Sequence, residues 1–212
     1  MITGAGVAAF SGAAFGLSAG ITPGPLLALV IAQTLAHGPR EGGKVALAPL
    51  LTDSPIILGA LLLTSSAAGH GAFLGGLTLC GAVFLLYCAL GCLRFKPPGS
   101  GQKGQKPQQA PGSISKGVLA NFLNPSPYLF WMTVGAPLIV EARADGWLTL
   151  TSFLLAFFLT IVGSKIGVAL LTWRSGPVLG SRGYVLAMRG LGVMLLCYAG
   201  FYVRDGLRLL LA

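Results

Sequence analysis

Charged residues are scarce in this chain of 212 residues, which carries 14 lysines and arginines and only five acids. Charged side chains make up 9% of the residues, whereas a soluble domain has about 25%. Hydrophobic residues make up 54%, in runs too long and too numerous for a soluble core. The composition therefore excludes a soluble domain and predicts an all-α integral membrane protein.

Histidines and metal-type cysteine patterns are missing from the apolar runs, and acids are scarce in them. The two histidines, His37 and His70, lie between the runs, and the chain has no H-E-x-x-H motif. The four cysteines lack C-x-x-C spacing and fit small apolar packing residues. Catalysis within the membrane needs a nucleophile with a base, or a metal with several ligands. We therefore expect no enzyme activity, no metal site and no cofactor.

The net charge of +9 could suggest a nucleic-acid partner, but the basic residues do not form one face. They cluster after the first, third and fifth apolar runs, as the positive-inside rule expects of cytoplasmic loops. This predicts a multi-pass protein of the plasma membrane, the inner membrane in bacteria, with both termini outside and no nucleic-acid partner. Arg204 and Arg208 near the C-terminus run counter to this orientation.

Six apolar runs follow one another along the chain. They cover residues 4–36, 44–66, 71–93, 114–140, 146–173 and 184–203, and the last can extend to 211. The first run has no charged residue and, as one helix, would be about 50 Å long, against ~30 Å of hydrocarbon. It must therefore be interrupted.

The interruption is Thr22-Pro23-Gly24-Pro25. Two prolines remove backbone donors and the glycine loosens the chain between them. Thr22 is a good N-cap and Pro is favoured at the first helical position, so we expect a half-helix to begin here. Its free N–H groups would suit an anionic group of a substrate. A proline kink without a ligand is the alternative interpretation.

A similar break occurs in the second half of the chain, at Asn124-Pro125-Ser126-Pro127. A Gly/Pro/Gln/Lys-rich segment divides the six runs into three and three, which predicts a half of residues 1–94, a flexible basic linker of 95–115 and a half of 116–212. Halves with three spans each must have opposite orientations, as in inverted-repeat transporters with sites on broken helices. We therefore expect six transmembrane helices in a 3+3 inverted repeat, with helices one and four broken.

One acid and one base lie inside otherwise uncharged stretches, Asp53 within Leu47–Leu63 of the second run and Lys165 within Leu148–Leu171 of the fifth. A charge at mid-membrane costs about 2.5–3.5 kcal/mol or more, so such residues usually pair or mark a pathway. Asp53 could meet a substrate ammonium or a proton while Lys165 balances its charge. The alternative is a buried ion pair that serves only packing. Trp131 fits an interface anchor or a packing residue better than a ligand contact.

The stretch Gly16-Leu-Ser-Ala-Gly-Ile-Thr-Pro-Gly-Pro25 resembles the first-span signature of the LysE-type amino-acid exporter family (LysE/RhtB). Leu47-Ala-Pro-Leu-Leu-Thr-Asp53 and Asn121-Phe-Leu-Asn-Pro125 are similar to its second-span and fourth-span motifs. The resemblance covers both halves and implies a six-span exporter of amino acids driven by the proton gradient. Many relatives carry a basic residue after Asn-Pro, where this chain has Ser126, so the familiar substrates do not carry over.

These observations together predict a secondary transporter that exports amino acids or related small zwitterionic solutes. The expected partners are an amino acid, protons and the lipid bilayer, with a homo-oligomer left open. The predicted substrate site consists of Thr22, Pro23, Gly24, Pro25, Asp53, Asn124, Pro125 and Lys165. Export of another small or inorganic solute, or a role as a non-transporting assembly subunit of the membrane, remain the alternatives.

Overall fold

The computed structural model describes residues 4–63, 70–94 and 112–211, except for the side chains of 63, 70–74, 77, 176–182 and 184. The helices are α1 (Ala5–Ile21), α2 (Pro25–His37), α3 (Pro39–Ala46), α4 (Ala48–Leu63), α5 (His70–Leu93), α6 (Ser113–Phe122), α7 (Pro125–Phe130), α8 (Ala136–Asp145) and α9 (Trp147–Leu211). A π-helical turn, Trp131–Gly135, joins α7 to α8. Most of the predicted linker lies outside the described residues, and its last three residues begin α6.

The described helices include membrane-spanning candidates, as the composition predicts. Pro39–Leu62, Trp147–Ser175 and Val185–Leu211 are long and apolar enough to cross a bilayer. The pair α1 and α2, bent by 62° at their junction, is a fourth candidate if it counts as one span. The predicted membrane class and the predicted break in the first apolar run are therefore confirmed.

Helix α9 is helical over 65 residues, but its contacts require it to turn back on itself. Lys165 donates to the carbonyl oxygen of Gly20, and Tyr198 donates to that of Pro23. Gly20 and Pro23 are at most ~10 Å apart along the chain, whereas a straight helix would separate Lys165 from Tyr198 by about 50 Å. The chain therefore reverses between them, and the two arms match the predicted fifth and sixth runs.

Helix α1 packs against the first arm of α9 through a stripe of small residues, Ala8, Gly12, Gly16 and Gly20, all buried. A Cβ at Gly12 would meet the Phe153 carbonyl, and one at Gly20 would meet the Ser164 hydroxyl. Without side chains in the way, the two helix backbones approach closely, as small-xxx-small patterns allow in membranes. This contact fixes the C-terminal end of α1, and hence the first break, against α9.

The two predicted halves pack into each other. One buried cluster joins Leu29 of α2 and Leu85 of α5 to Ala120, Met188 and Leu195. A second joins Ala8 and Ile56 to residues of the second half, among them Trp131 and Phe157. Each core is therefore built from both halves of the sequence. The division of the chain into two repeated halves, separated by residues 95–115, therefore stays a prediction.

Candidate functional site

The first helix break lies two residues later than the sequence predicted. Helix α1 ends at Ile21 and α2 begins at Pro25, with Gly24 as its N-cap. The Thr22 backbone N–H and its hydroxyl Oγ1 both donate to the Ser18 carbonyl, at 3.0 and 2.5 Å. Thr22 therefore ends α1, and the prediction that Thr22 caps the next helix with Pro23 in its first position was wrong.

The prolines explain this shift. A residue before proline avoids the α-helical region because the proline ring clashes with it. Thr22 precedes Pro23 and has a ψ of 124°, and Gly24 precedes Pro25 and is fully extended. The helix resumes at Pro25, whose own missing N–H costs nothing in the first helical turn.

The carbonyl groups left open at the end of α1 are bound by side chains from α9. The Lys165 ammonium donates to the Ala19 and Gly20 carbonyls, at 3.2 and 3.1 Å, and the Tyr198 hydroxyl donates to the Pro23 carbonyl at 2.8 Å. The last four carbonyls of a helix lack partners within it, and a cation is favoured at that end of the dipole. Lys165 thus stabilises the broken end of α1.

The second break has the geometry that the sequence predicted. Asn124 is the N-cap of α7, its side-chain oxygen accepts from the Ser126 N–H at 3.0 Å, and Pro125 is the first helical residue. The same oxygen accepts from the Tyr202 hydroxyl at 2.6 Å. The predicted capping role of Asn124 is therefore confirmed.

The two breaks differ in the donors that they leave free. The N–H groups of Leu26 and Leu27, in the first turn of α2, have no hydrogen-bond acceptor within the described chain. In α7, Pro125 and Pro127 have no N–H, and the Ser126 N–H is already used by Asn124. Only the first break therefore offers a helix N-terminus to an anionic group.

Both breaks open into one cavity of about 390 Å³. Seven of the eight predicted site residues line it: Thr22, Pro23, Gly24, Pro25, Asp53, Asn124 and Lys165. Pro125 is the exception, since it begins α7 without lining the cavity. Cavities of about 300–1,000 Å³ hold small-molecule ligands, so this one is at the small end of that range.

Asp53 is held in the cavity wall by neutral donors. Its carboxylate Oδ1 accepts from Asn121 Nδ2 at 2.8 Å, and its Oδ2 accepts from Trp131 Nε1 at 3.3 Å. Asn121 also donates to the Thr52 hydroxyl at 2.6 Å. Asp53 is 3% exposed, and a carboxylate can accept about four hydrogen bonds. The Thr52 hydroxyl also donates to Oδ1, at 3.3 Å, so three donors reach the carboxylate and it keeps capacity for about one more hydrogen bond.

Asp53 and Lys165 do not form a direct ion pair within the described chain. Lys165 donates its hydrogen bonds to carbonyl groups of α1. The ion pairs found among the described residues are Lys44–Glu41 and Arg204–Asp205. Both central residues are 3% exposed and line the same cavity. The alternative interpretation, a buried Asp53–Lys165 ion pair that serves only packing, is therefore not supported, because the two side chains are not in direct contact as an ion pair. The two opposite charges face a shared space.

Another part of the cavity wall is aromatic. The rings of Trp131 and Phe157 meet edge to face with centroids 5.0 Å apart, and those of Phe130 and Phe157 stack at 5.6 Å. Phe15 lies 5.8 Å from Phe130. All four line the cavity. The site thus combines a charged side with an apolar, aromatic side.

Sequence reasoning missed several of these contacts. Trp131 was expected to anchor or pack, and it is fully buried, but it also binds Asp53. Tyr198 and Tyr202, which reach the two breaks, were not predicted, because their partners lie 175 and 78 residues away in the chain. Indole N–H and phenol groups within apolar runs were the available signal, since such groups seek partners when buried.

Helix α1 contains a sequence pattern that is also found at the nucleophile of some hydrolases. Gly16-Leu-Ser-Ala-Gly20 has the G-x-S-x-G spacing of a nucleophile elbow, which needs a sharp strand-to-helix turn. Here it lies inside a helix, and a Cβ at Gly16 would meet the Phe157 carbonyl of α9. The two glycines therefore serve helix packing. Ser18 lines the cavity as a polar wall residue.

Comparison with known proteins gives one match. The family model described as LysE type translocator matches residues 17–206, which includes both breaks, Asp53 and Lys165. No curated protein and no solved structure matches the chain.

Proposed function

Because the chain belongs to the LysE type translocator family, whose members transport small solutes across membranes, we propose that it exports amino acids or related small zwitterions. The proposed location is the plasma membrane and the proposed driving force is the proton gradient. Members of the family are transporters and not enzymes.

The observation that carries this proposal is one small cavity with a buried acid, a buried base and a free helix N-terminus. Asp53 and Lys165 line the same space of about 390 Å³, and so do Leu26 and Leu27, whose backbone N–H groups have no acceptor within the described chain. A zwitterion presents one carboxylate and one ammonium a few bonds apart. Such a pair of opposite charges complements the cavity wall.

The proposed binding mode follows from these groups. The substrate carboxylate accepts from the Leu26 and Leu27 N–H groups at the positive end of α2. The substrate ammonium donates to Asp53, whose carboxylate is oriented by Asn121 and Trp131. In this mode Lys165 adds a positive charge to the site, the other residues that line it are Thr22, Pro23, Gly24, Pro25 and Asn124, and Pro125 holds the start of α7 beside it.

The substrate side chain would lie against the aromatic wall of Phe15, Phe130 and Phe157. Lys165 adds a positive charge, and no acid besides Asp53 is present in the described lining. A basic side chain would find no counter-charge there. We therefore propose neutral, apolar amino acids as better substrates than lysine or arginine.

A six-span inverted repeat is the proposed architecture. In this arrangement the first three spans are the bent pair α1 and α2, the joined α3 and α4, and the 24-residue α5. The last three spans are the broken run from α6 to α8 and the two arms of α9. Two features support it. Both breaks contact one cavity, and the Gly4 N–H donates to Asp145, so the start of α1 and the end of α8 are on one side.

Proton coupling is proposed to act through Asp53. A carboxyl group in a closed cavity can neutralise itself by taking up a proton when no ammonium balances it. Exchange of a proton for the substrate ammonium at this carboxylate would tie the two movements together. Rocking of one half against the other would expose the site to each side in turn.

The decisive experiment is efflux of preloaded, labelled amino acids from proteoliposomes of the full chain, with and without a pH gradient. We expect export of neutral amino acids, accelerated when the receiving side is more acidic, and little export of lysine or arginine. Movement of no amino acid under either condition would contradict the proposal and favour a non-transporting membrane subunit. Equal efflux rates with and without the pH gradient would contradict proton coupling but leave the proposal of amino-acid export intact.

A further inference from the structure

A second cavity, of about 360 Å³, lies among α2, α5, α6 and α9, away from the helix breaks. Three basic side chains from three helix ends line it. His37 ends α2, Arg94 directly follows α5 and Lys116 lies in the first turn of α6. No carboxylate is present in the described lining of this cavity. It therefore concentrates positive charge.

Two of these basic groups, Arg94 and Lys116, have no ion-pair partner in the described part of the chain. Neither the Arg94 guanidinium nor the Lys116 ammonium makes a side-chain hydrogen bond or an ion pair there. The nearby Glu41 is engaged by Lys44, at 2.6 Å. His37 is close enough to both Lys116 and Glu41 for each to act on it electrostatically. Like charges around one partly buried space repel each other, so an anion there would be stabilised.

Lys116 is in an unusual place for a lysine. The helix dipole disfavours a cation in the first turn and favours an anion outside it. A cation at the C-terminal ends of α2 and α5 is explained by the dipole alone, but Lys116 is not. An anion in the cavity would satisfy Lys116 and the dipole of α6 together.

Gln33 supplies an independent sign of a ligand. It is 7% exposed and lines this cavity. Its side-chain oxygen accepts from the Ser113 hydroxyl at 3.1 Å, whereas its amide nitrogen has no partner within the described chain. A buried donor without an acceptor is costly. It points to an acceptor that the protein itself does not supply.

We propose that this cavity binds a phosphate group. Arg94 would present its planar fork of donors, Lys116 a point charge and Gln33 a neutral donor, a set suited to phosphate oxygens. Leu29, Leu90 and Met188 make the rest of the wall apolar, which fits the chain region of a phospholipid. An anionic phospholipid headgroup and free phosphate share the recognised chemistry. Basic pockets between membrane helices are known to take such headgroups.

The test compares two probes on the full-length protein. The first is phosphatidylglycerol, titrated into phosphatidylcholine nanodiscs. The second is inorganic phosphate in detergent, with chloride at equal ionic strength as reference. The readouts are lipid retained in native mass spectrometry and the shift of the thermal unfolding midpoint. We expect a stabilising shift of the parent protein that saturates with at least one probe.

The variant Arg94→Gln/Lys116→Gln should weaken that binding about tenfold or more. The control Arg40→Gln/Arg174→Gln removes the same charge from exposed residues outside the cavity and should bind like the parent. Gln33→Leu, which leaves the net charge intact, should also weaken binding, and it serves if the double variant folds poorly.

Saturation by phosphatidylglycerol alone would identify a headgroup site, and saturation by inorganic phosphate as well would identify a site for the free anion. Either result supports the proposal. Binding of neither probe would overturn it. So would an equal loss in the cavity variant and the control variant, because diffuse surface attraction would then explain the binding.

Discussion

Asp53 is the residue on which substrate recognition should depend most. Asp53→Asn keeps the size of the side chain but removes the negative charge that would meet an ammonium, and its amide replaces one of the two oxygens that accept from Asn121 and Trp131. A hydrogen bond to a charged group is worth about 1.5–3 kcal/mol, so we expect export to fall roughly tenfold or more. Initial efflux rates from proteoliposomes with a pH gradient measure this.

The matched control for this change is Asp205→Asn. Asp205 is half exposed, pairs with Arg204 and does not line the central cavity. Its variant should export at the rate of the parent. If Asp53→Asn also keeps that rate while both variants retain their helix content, the ammonium-binding role of Asp53 is wrong.

Lys165 is expected to act on stability through the end of α1. Lys165→Met keeps the length of the side chain but leaves the Ala19 and Gly20 carbonyls without their donor. The expected loss is about 1.5–3 kcal/mol in the free energy of unfolding. Denaturant unfolding in detergent, followed by circular dichroism, measures it.

Lys44→Met provides the comparison for Lys165→Met. Lys44 is 47% exposed and pairs with Glu41 one turn away, and exposed pairs contribute at most about 1 kcal/mol. Equal destabilisation by the two changes would show that the contacts of Lys165 with α1 contribute no more to the free energy of unfolding than an exposed ion pair does.

At the scale of single residues, the sequence identified the charged members of the site but not their partners. A lone acid and a lone base in apolar runs are conspicuous because lipid makes charge expensive. Their geometry was not accessible, since Asp53 meets Trp131 from 78 positions away and Lys165 meets Ala19 from 146. Such contacts depend on how the helices pack, which a one-dimensional pattern does not contain.

At the scale of helices, the close packing of α1 on α9 should depend on Gly16. A Cβ there would meet the Thr160 hydroxyl and the Phe157 carbonyl, and backbone cannot move away cheaply. Gly16→Ala should therefore destabilise the protein by about 1–3 kcal/mol. Gly163→Ala is the matched control, because Gly163 also lies within a helix but has nothing within 4 Å of the added Cβ.

Gly163→Ala should be neutral or stabilise by up to about 1 kcal/mol, as alanine favours helix more than glycine does. Unfolding midpoints of the two variants in the same detergent give the comparison. A smaller loss for Gly16→Ala than for Gly163→Ala would mean that α1 and α9 do not approach as closely as described.

The existence of both helix breaks could be predicted from sequence, but the first boundary could not. Asn124 behaves as a cap because its oxygen is free to accept from Ser126. Thr22 has the same chemical ability, yet its hydroxyl turns back to Ser18. Capping propensity does not decide between the two directions. Nor does the clash with the following proline, because Thr22 and Asn124 both precede a proline and have similar ψ angles of 124° and 122°.

At the scale of the whole molecule, the cavity exists because distant parts of the chain return to one place. The second arm of α9 brings Tyr198 to the first break and Tyr202 to the second, while its first arm brings Lys165. The second half of the sequence thus supplies hydrogen-bond donors to the broken helix of the first half as well as to its own. The first half expressed alone would leave carbonyl groups of its break without these donors in lipid, where such groups are costly.

The number of membrane crossings is the property that decides the inverted repeat, and the broken run from α6 to α8 is the critical segment. If it crosses the bilayer, Ser115 before the break and Ala144 after it are on opposite sides. If it enters and returns, they are on the same side.

In a cysteine-free background we expect an impermeant maleimide to label Ala144→Cys and Asp205→Cys from outside. Arg40→Cys and Ser115→Cys should react only after permeabilisation, and outside labelling of Ser115→Cys together with Ala144→Cys would exclude the six-span arrangement.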